Sequence, residues 1–186
     1  DEALSMPSYD GWNSGTLLQT AAEELEAHGH TGPARDARRR WKTWLDSRPA
    51  EERASESHRF SLGRLLHLEG NLPDARALFL SLAAEHPDSV SYAGYLGVLA
   101  ARENDEVEAE RIVGWLGALH RPYQAGHPAL WQARIEARLG RADRALDRLG
   151  EAFARGRQSD LWLHTDIDLA SLREHPRYRA LARPKD

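Results

Sequence analysis

The sequence predicts an all-α protein assembled from about four helix-turn-helix units, and three observations lead there. Small residues pair across a twelve-residue interval four times, as Ala22/Ala34, Gly63/Ala75, Gly97/Ala109 and Ala133/Ala145. Seven residues after each first member stands a turn former, Gly29, Gly70, Asn104 or Gly140. The frame recurs at successive shifts of 41, 34 and 36 residues. Small side chains let two helices approach closely, and Gly or Asn just past a helix end accepts the left-handed backbone that terminates it. A unit of this kind cannot bury its apolar face alone, so copies must stack, and the surface they create is normally used for binding.

The elements follow in order. Residues Asp1 to Gly15 match no repeat and read as a leader rich in turn formers (Pro7, Asp10, Gly11, Asn13), with Met6, Tyr9 and Trp12 available to dock. A first helix is expected from Thr16 to His28, carrying Leu18, Ala21, Ala22 and Leu25 on one face. Pro33 marks the start of its partner, whose apolar stripe is Ala34, Ala37, Trp41, Trp44 and Leu45. The polar stretch Ser47 to Ser57 is a loop or a helix extension, and it explains the first shift of 41. The second unit runs through Phe60, Leu62, Gly63, Leu65 and Leu66, turns at Gly70, and returns through Ala75, Leu78, Phe79 and Leu82 to Pro87. The third runs from Tyr92 to a turn at Asn104-Asp105 and back through Ile112 and Leu116 to Pro122; the fourth opens near Pro128, turns at Gly140 and ends at Gly156. Beyond it, Leu161-Trp162-Leu163 is an apolar anchor. Asp168 caps a short helix through Leu172, and Pro176 starts a last one through Leu181. The expected organisation is a leader (1–15), a helical array (16–156) and a C-terminal cap (157–186) that covers the exposed apolar end of the stack.

Composition bounds the function. A formal charge of −4 argues against a general nucleic-acid binder. No apolar run approaches the roughly 18 residues that would insert into a membrane. The absence of cysteine excludes disulfides, thiolate metal ligands and cysteine nucleophiles together. The chain begins with Asp1 instead of Met, and with the lack of cysteine this inclines the expectation toward an extracytoplasmic or secreted protein.

His58 to Pro87 (HRFSLGRLLHLEGNLPDARALFLSLAAEHP) closely resembles the tetratricopeptide repeat: a small residue deep in the first helix, Gly at the turn, Ala in the second helix, Pro after it. The resemblance covers about Gly15 to Gly156. The third copy has Asn104 for the turn Gly, the fourth has Gln132 and Glu136 where apolar residues are usual, and the first has Asp46 where Pro is expected. Trp162 to Asp168 and onward to Pro176-Arg177-Tyr178 resembles tails that close repeat arrays in bacterial proteins, which implies a bacterial origin. The family implies a right-handed solenoid, and it is nearly silent on function.

In that family the inner face of the first helices lines a ligand groove. Here the face offers Phe60, Arg64 and His67, then Arg102, then Leu130, Arg134 and Arg138, with Gln19, Glu23, Glu26 and Val98 alongside. Its arginines are suited to gripping carboxylates of an extended acidic peptide through bidentate hydrogen bonds; the competing reading is that they are solvated or paired with nearby glutamates. Asparagines of the chaperone-tail-binding subgroup are missing, with Glu23, Arg64, Val98 and Arg134 in their place. Charge is also uneven: residues 1–30 hold six acids and no Lys or Arg, and residues 171–186 are net basic. An acidic front and a basic rear would steer head-to-tail association through Tyr9, Trp12, Glu23, Trp162, Arg173, Arg177 and Tyr178.

Other clusters carry less. Arg35, Arg38, Arg39, Arg40 and Lys42 read as a solvated helix face. The acidic run Glu103 to Glu110 favours the start of a helix through its dipole. His28/His30 and His164/Asp166/Asp168 match no metal-ligand spacing, and Gly11-Trp12-Asn13-Ser14-Gly15 is not a serine-nucleophile elbow. No catalytic residue, metal or cofactor is therefore expected. The leading expectation is a non-catalytic scaffold binding a protein or peptide partner in its groove. The alternatives are a self-assembling subunit polymerising through its ends, with no nucleic-acid partner, and a regulatory domain of a larger bacterial protein.

Overall fold

A computed structural model describes residues 14–119, 124–158 and 162–183. Every regular element among them is helical. The predicted leader contacts Tyr9 and Trp12 lie outside the described residues, as does Pro122. The chain divides into two compact units, Asp1–Leu78 and Phe79–Asp186.

The first unit contains α1 (Ser14–Ala27), α2 (Thr31–Asp46), α3 (Ala50–Ala54) and α4 (Glu56–Glu69); the unit boundary falls inside α5 (Leu72–Glu85). Helices α1 and α2 pack as a hairpin, and α4 packs on α2. Their core is Leu18, Trp41, Leu45 and Leu65, flanked by Trp44, Leu62 and Leu68. Helix α1 starts earlier than the sequence suggests, because Gly15 is a helical residue lying under the Trp44 ring; a Cβ there would sit 2.4 Å from the indole. The ambiguous polar stretch is part loop and part helix. Pro49 precedes α3, and Ser55 ends α3 while capping α4 by accepting a hydrogen bond from the His58 N–H at 3.3 Å.

The second unit contains α6 (Val90–Arg102), α7 (Glu106–Gly117), α8 (His127–Arg138) and α9 (Ala142–Ala154). After these come α10 (Trp162–Thr165), a 3-10 helix (Ile167–Leu172) and α11 (Pro176–Ala182). Pairs α6/α7 and α8/α9 are hairpins, and α6 and α7 both pack on α8. Two close approaches set this packing. A Cβ on Gly94 would fall 2.1 Å from the Trp131 ring, and one on Gly97 would fall 2.4 Å from Ile135. Around α8 and α9 the core gathers Leu130, Ala133, Leu146 and Leu149, and the C-terminal segment adds Leu163, Leu169, Leu172 and Tyr178.

The small-residue register is visible residue by residue. Ala22, Ala34, Ala75, Ala109, Ala133 and Ala145 are at most 1 % exposed, and Gly63 and Gly97 are buried. Each predicted turn residue has the left-handed backbone, with φ of 78° at Gly29, 79° at Gly70, 62° at Asn104 and 75° at Gly140. The two polar departures in the fourth unit have partners: Gln132 donates to the Val113 carbonyl at 2.8 Å, and buried Glu136 faces Arg141 at 3.6 Å.

Candidate functional site

The predicted groove residues divide between the units. In the first, Phe60 and Arg64 are half-buried, and the Arg64 guanidinium sits 5.9 Å from the Phe60 ring centroid. Arg64 also donates to Glu23 at 2.8 Å, so a residue expected at an end contact is the partner of one expected in the groove. His67 is only 3 % exposed and belongs to the interior.

In the second unit the arginines of α8 converge on the C-terminal segment. Arg134 donates through Nε to Asp166 at 2.7 Å, and Arg138 donates through Nε to Asp168 at 2.7 Å and through Nη2 to the Ile167 carbonyl at 3.0 Å. The side chains of Asp166 and Asp168 are 5 % and 6 % exposed, so both carboxylates are buried, while the arginines that meet them are half-buried. One turn of α8 separates Arg134 from Arg138, and the aspartates stand at the N-cap and the second residue of the 3-10 helix. Asp166 does a second job by accepting the Asp168 N–H at 2.9 Å, which starts the 3-10 helix. Charge-assisted hydrogen bonds of this kind are strong, and here both carboxylates are supplied by the chain itself.

Electrostatics fit that arrangement. Burial disfavours the charge on Arg134, but Asp166, Tyr95 and Asp168 outweigh it and hold the pKa above the usual arginine value. Arg102 moves the other way, lowered by burial and by Arg138, with Asp168 opposing. Arg134 also lies 4.3 Å from the Trp131 ring, which makes a 4.6 Å edge contact with Tyr95; Tyr95 stacks on Phe79 at 4.4 Å. The Trp131 indole N–H donates to His127 Nε2 at 3.1 Å. That acceptor role needs a neutral ring, and burial, reinforced by Arg134 and Arg157, pulls the His127 pKa down to about 4.

Two further predicted site residues are, like His67, corrected by their burial. Leu130 is fully buried in the second core, in the same cluster as Ala133, Leu146 and Leu149, and does not face solvent. Tyr178 is 3 % exposed and donates to the Leu163 carbonyl at 2.5 Å; burial, helped by Asp166, raises its phenol pKa. The remaining tail residues also have internal partners. Trp162 donates to Gln158 O at 3.1 Å under the Arg157 guanidinium, and Arg173 donates to Asp166 O at 3.2 Å. Arg177 pairs with Asp147 at 2.6 Å. The basic rear predicted for head-to-tail steering is thus partly neutralised within the unit.

From the sequence, Asp166 and Asp168 match no metal-ligand spacing and Asp168 is expected to cap a short helix; the cap is instead Asp166, whose side chain accepts from the Asp168 N–H. A usable signal was present: two carboxylates two apart, in a chain with two arginines four apart. No family model matches this chain, and no curated protein or solved structure is significantly similar to it.

Proposed function

We propose that this chain is a non-catalytic protein-interaction module, a right-handed tetratricopeptide-like array that holds a partner peptide or domain. The observation behind this reading is the register. Four turn residues have positive φ at one fixed offset from small residues that are all buried, the construction that lets helix hairpins repeat and present a surface. The chemistry of the α8 face supports carboxylate recognition, because Arg134 and Arg138 engage an Asp-Ile-Asp segment through two side chains and a main-chain carbonyl. That segment belongs to the chain, so a partner meets the rest of this face, where half-buried Arg102 stands.

The test is selection from a displayed peptide library on the intact chain, with the winning peptide titrated calorimetrically against the native protein and Arg102→Glu. Saturable 1:1 binding weakened by the substitution supports the reading. A monomer that enriches no sequence defeats it. Large, salt-sensitive assemblies in light scattering would transfer the function to self-association.

A further inference from the structure

In the second unit, α6 and α8 each reach solvent along a narrow line. Most of α6 is buried, and its half-exposed Ser91, Tyr95 and Arg102 fall on one side of the helix at intervals of four and seven residues. Most of α8 is buried too, and its half-exposed His127, Arg134 and Arg138 fall on one side at intervals of seven and four. The two lines run together. Tyr95 acts electrostatically on Arg134 and meets the Trp131 ring edge-on at 4.6 Å, and Arg102 acts electrostatically on Arg138. Building on the interaction-module reading, we propose that this face takes an extended peptide segment in which an aromatic side chain meets Tyr95 and an acidic side chain, three residues away, meets Arg102.

Charge selects the acid. Arg102, Arg134 and Arg138 bring three positive charges to this face, and Asp166 and Asp168 return two. A further carboxylate offsets the repulsion between Arg102 and Arg138. The face already shows the chemistry, because Arg134 and Arg138 each hold an aspartate side chain at 2.7 Å. Tyr95 selects the ring. It stacks on Phe79 at 4.4 Å and is braced by Trp131, so a half-exposed aromatic is held in one orientation at low entropic cost to an incoming ring. Helix geometry sets the spacing. Seven residues of α6 rise about 10 Å, which an extended chain covers in about three residues at roughly 3.3 Å each.

The probe is an acetylated, amidated peptide with phenylalanine and aspartate three residues apart in a glycine-serine frame, titrated calorimetrically into the intact chain at low salt. Saturable 1:1 binding with a Kd of ~0.1 mM is expected. Exchanging the peptide aspartate for asparagine should weaken it roughly tenfold, the loss of one charge-assisted hydrogen bond. Arg102→Gln should weaken the aspartate peptide by the same factor and leave the asparagine peptide unchanged, which separates the contact from a folding defect. Exchanging the phenylalanine for alanine should weaken binding to the native protein and make no difference to Tyr95→Leu. Moving the acid to two or five residues from the ring should also weaken binding. Equal affinity at all three spacings, with Arg102 still required, would overturn this proposal and leave the module reading standing. Aspartate and asparagine peptides that bind alike would overturn it as well. If none of the probes saturates, the proposal falls; a displayed library that then yields some other peptide keeps the module reading, and one that yields none removes both.

Discussion

Removing the Asp166 carboxylate should be the most damaging single change at the surface of α8. Asp166→Ala deletes a 2.7 Å bond from Arg134, and a hydrogen bond involving a charged group contributes about 1.5–3 kcal/mol. It also deletes the cap on the Asp168 N–H, about 1 kcal/mol more. Arg134 is left with a side chain only 17 % exposed, so little water reaches the orphaned charge. Its contact with Trp131 remains and returns no more than about 1 kcal/mol. The expected loss is about 3 kcal/mol, read from urea unfolding followed by circular dichroism. Asp166→Asn keeps an oxygen for the cap and should lose about 1 kcal/mol less. In a double-mutant cycle with Arg134→Met, the coupling should be about 2 kcal/mol. Additivity within ~0.5 kcal/mol would show that the pair is not coupled and would refute the reasoning.

Three further outcomes are expected. Gly126→Ala combines a φ of 73° with a Cβ only 2.1 Å from the Ala152 carbonyl oxygen, a backbone atom that cannot rotate away; a loss above ~3 kcal/mol should appear in the same assay. Asn104→Gly removes a side chain from a left-handed turn with φ 62° and should stabilise the chain by about 0.5–1 kcal/mol, measured as a higher urea midpoint at unchanged slope. For His127 the folded pKa of about 4 lies below the unfolded value near 6.5, so its contribution is fully present above pH 6.5 and is lost as pH falls toward 4. Each pH unit through that window should cost up to about 1.4 kcal/mol, less with the ring partly exposed, and His127→Gln should flatten this part of the stability profile.

Much of the fold was legible because its determinants are local. The offset from Ala22 to Gly29 repeats at Gly63, Gly97 and Ala133, and each turn residue adopts positive φ because the steric rule concerns that residue and its neighbours. The apolar stripe of α2 is buried at Ala34, Ala37, Trp41 and Leu45 for a similarly local reason, the 3.6-residue period. Faces were less legible than elements. Leu130, His67 and Tyr178 were assigned to exposed positions, and each is buried by an element distant in sequence or by its place against a second helix. The candidate site was the least legible part. Its residues Arg134 and Arg138 could be named, but their partners stand 32 and 30 residues away.

The sequence by itself determined where the helix hairpins turn and which positions must be small, because those demands arise within one or two turns of backbone. Tertiary structure alone decided that the arginines of α8 bind Asp166 and Asp168. No local period links residues thirty apart. The pairing exists because Leu163, Leu169, Leu172 and Tyr178 dock the C-terminal segment into the second core and carry the two carboxylates with them.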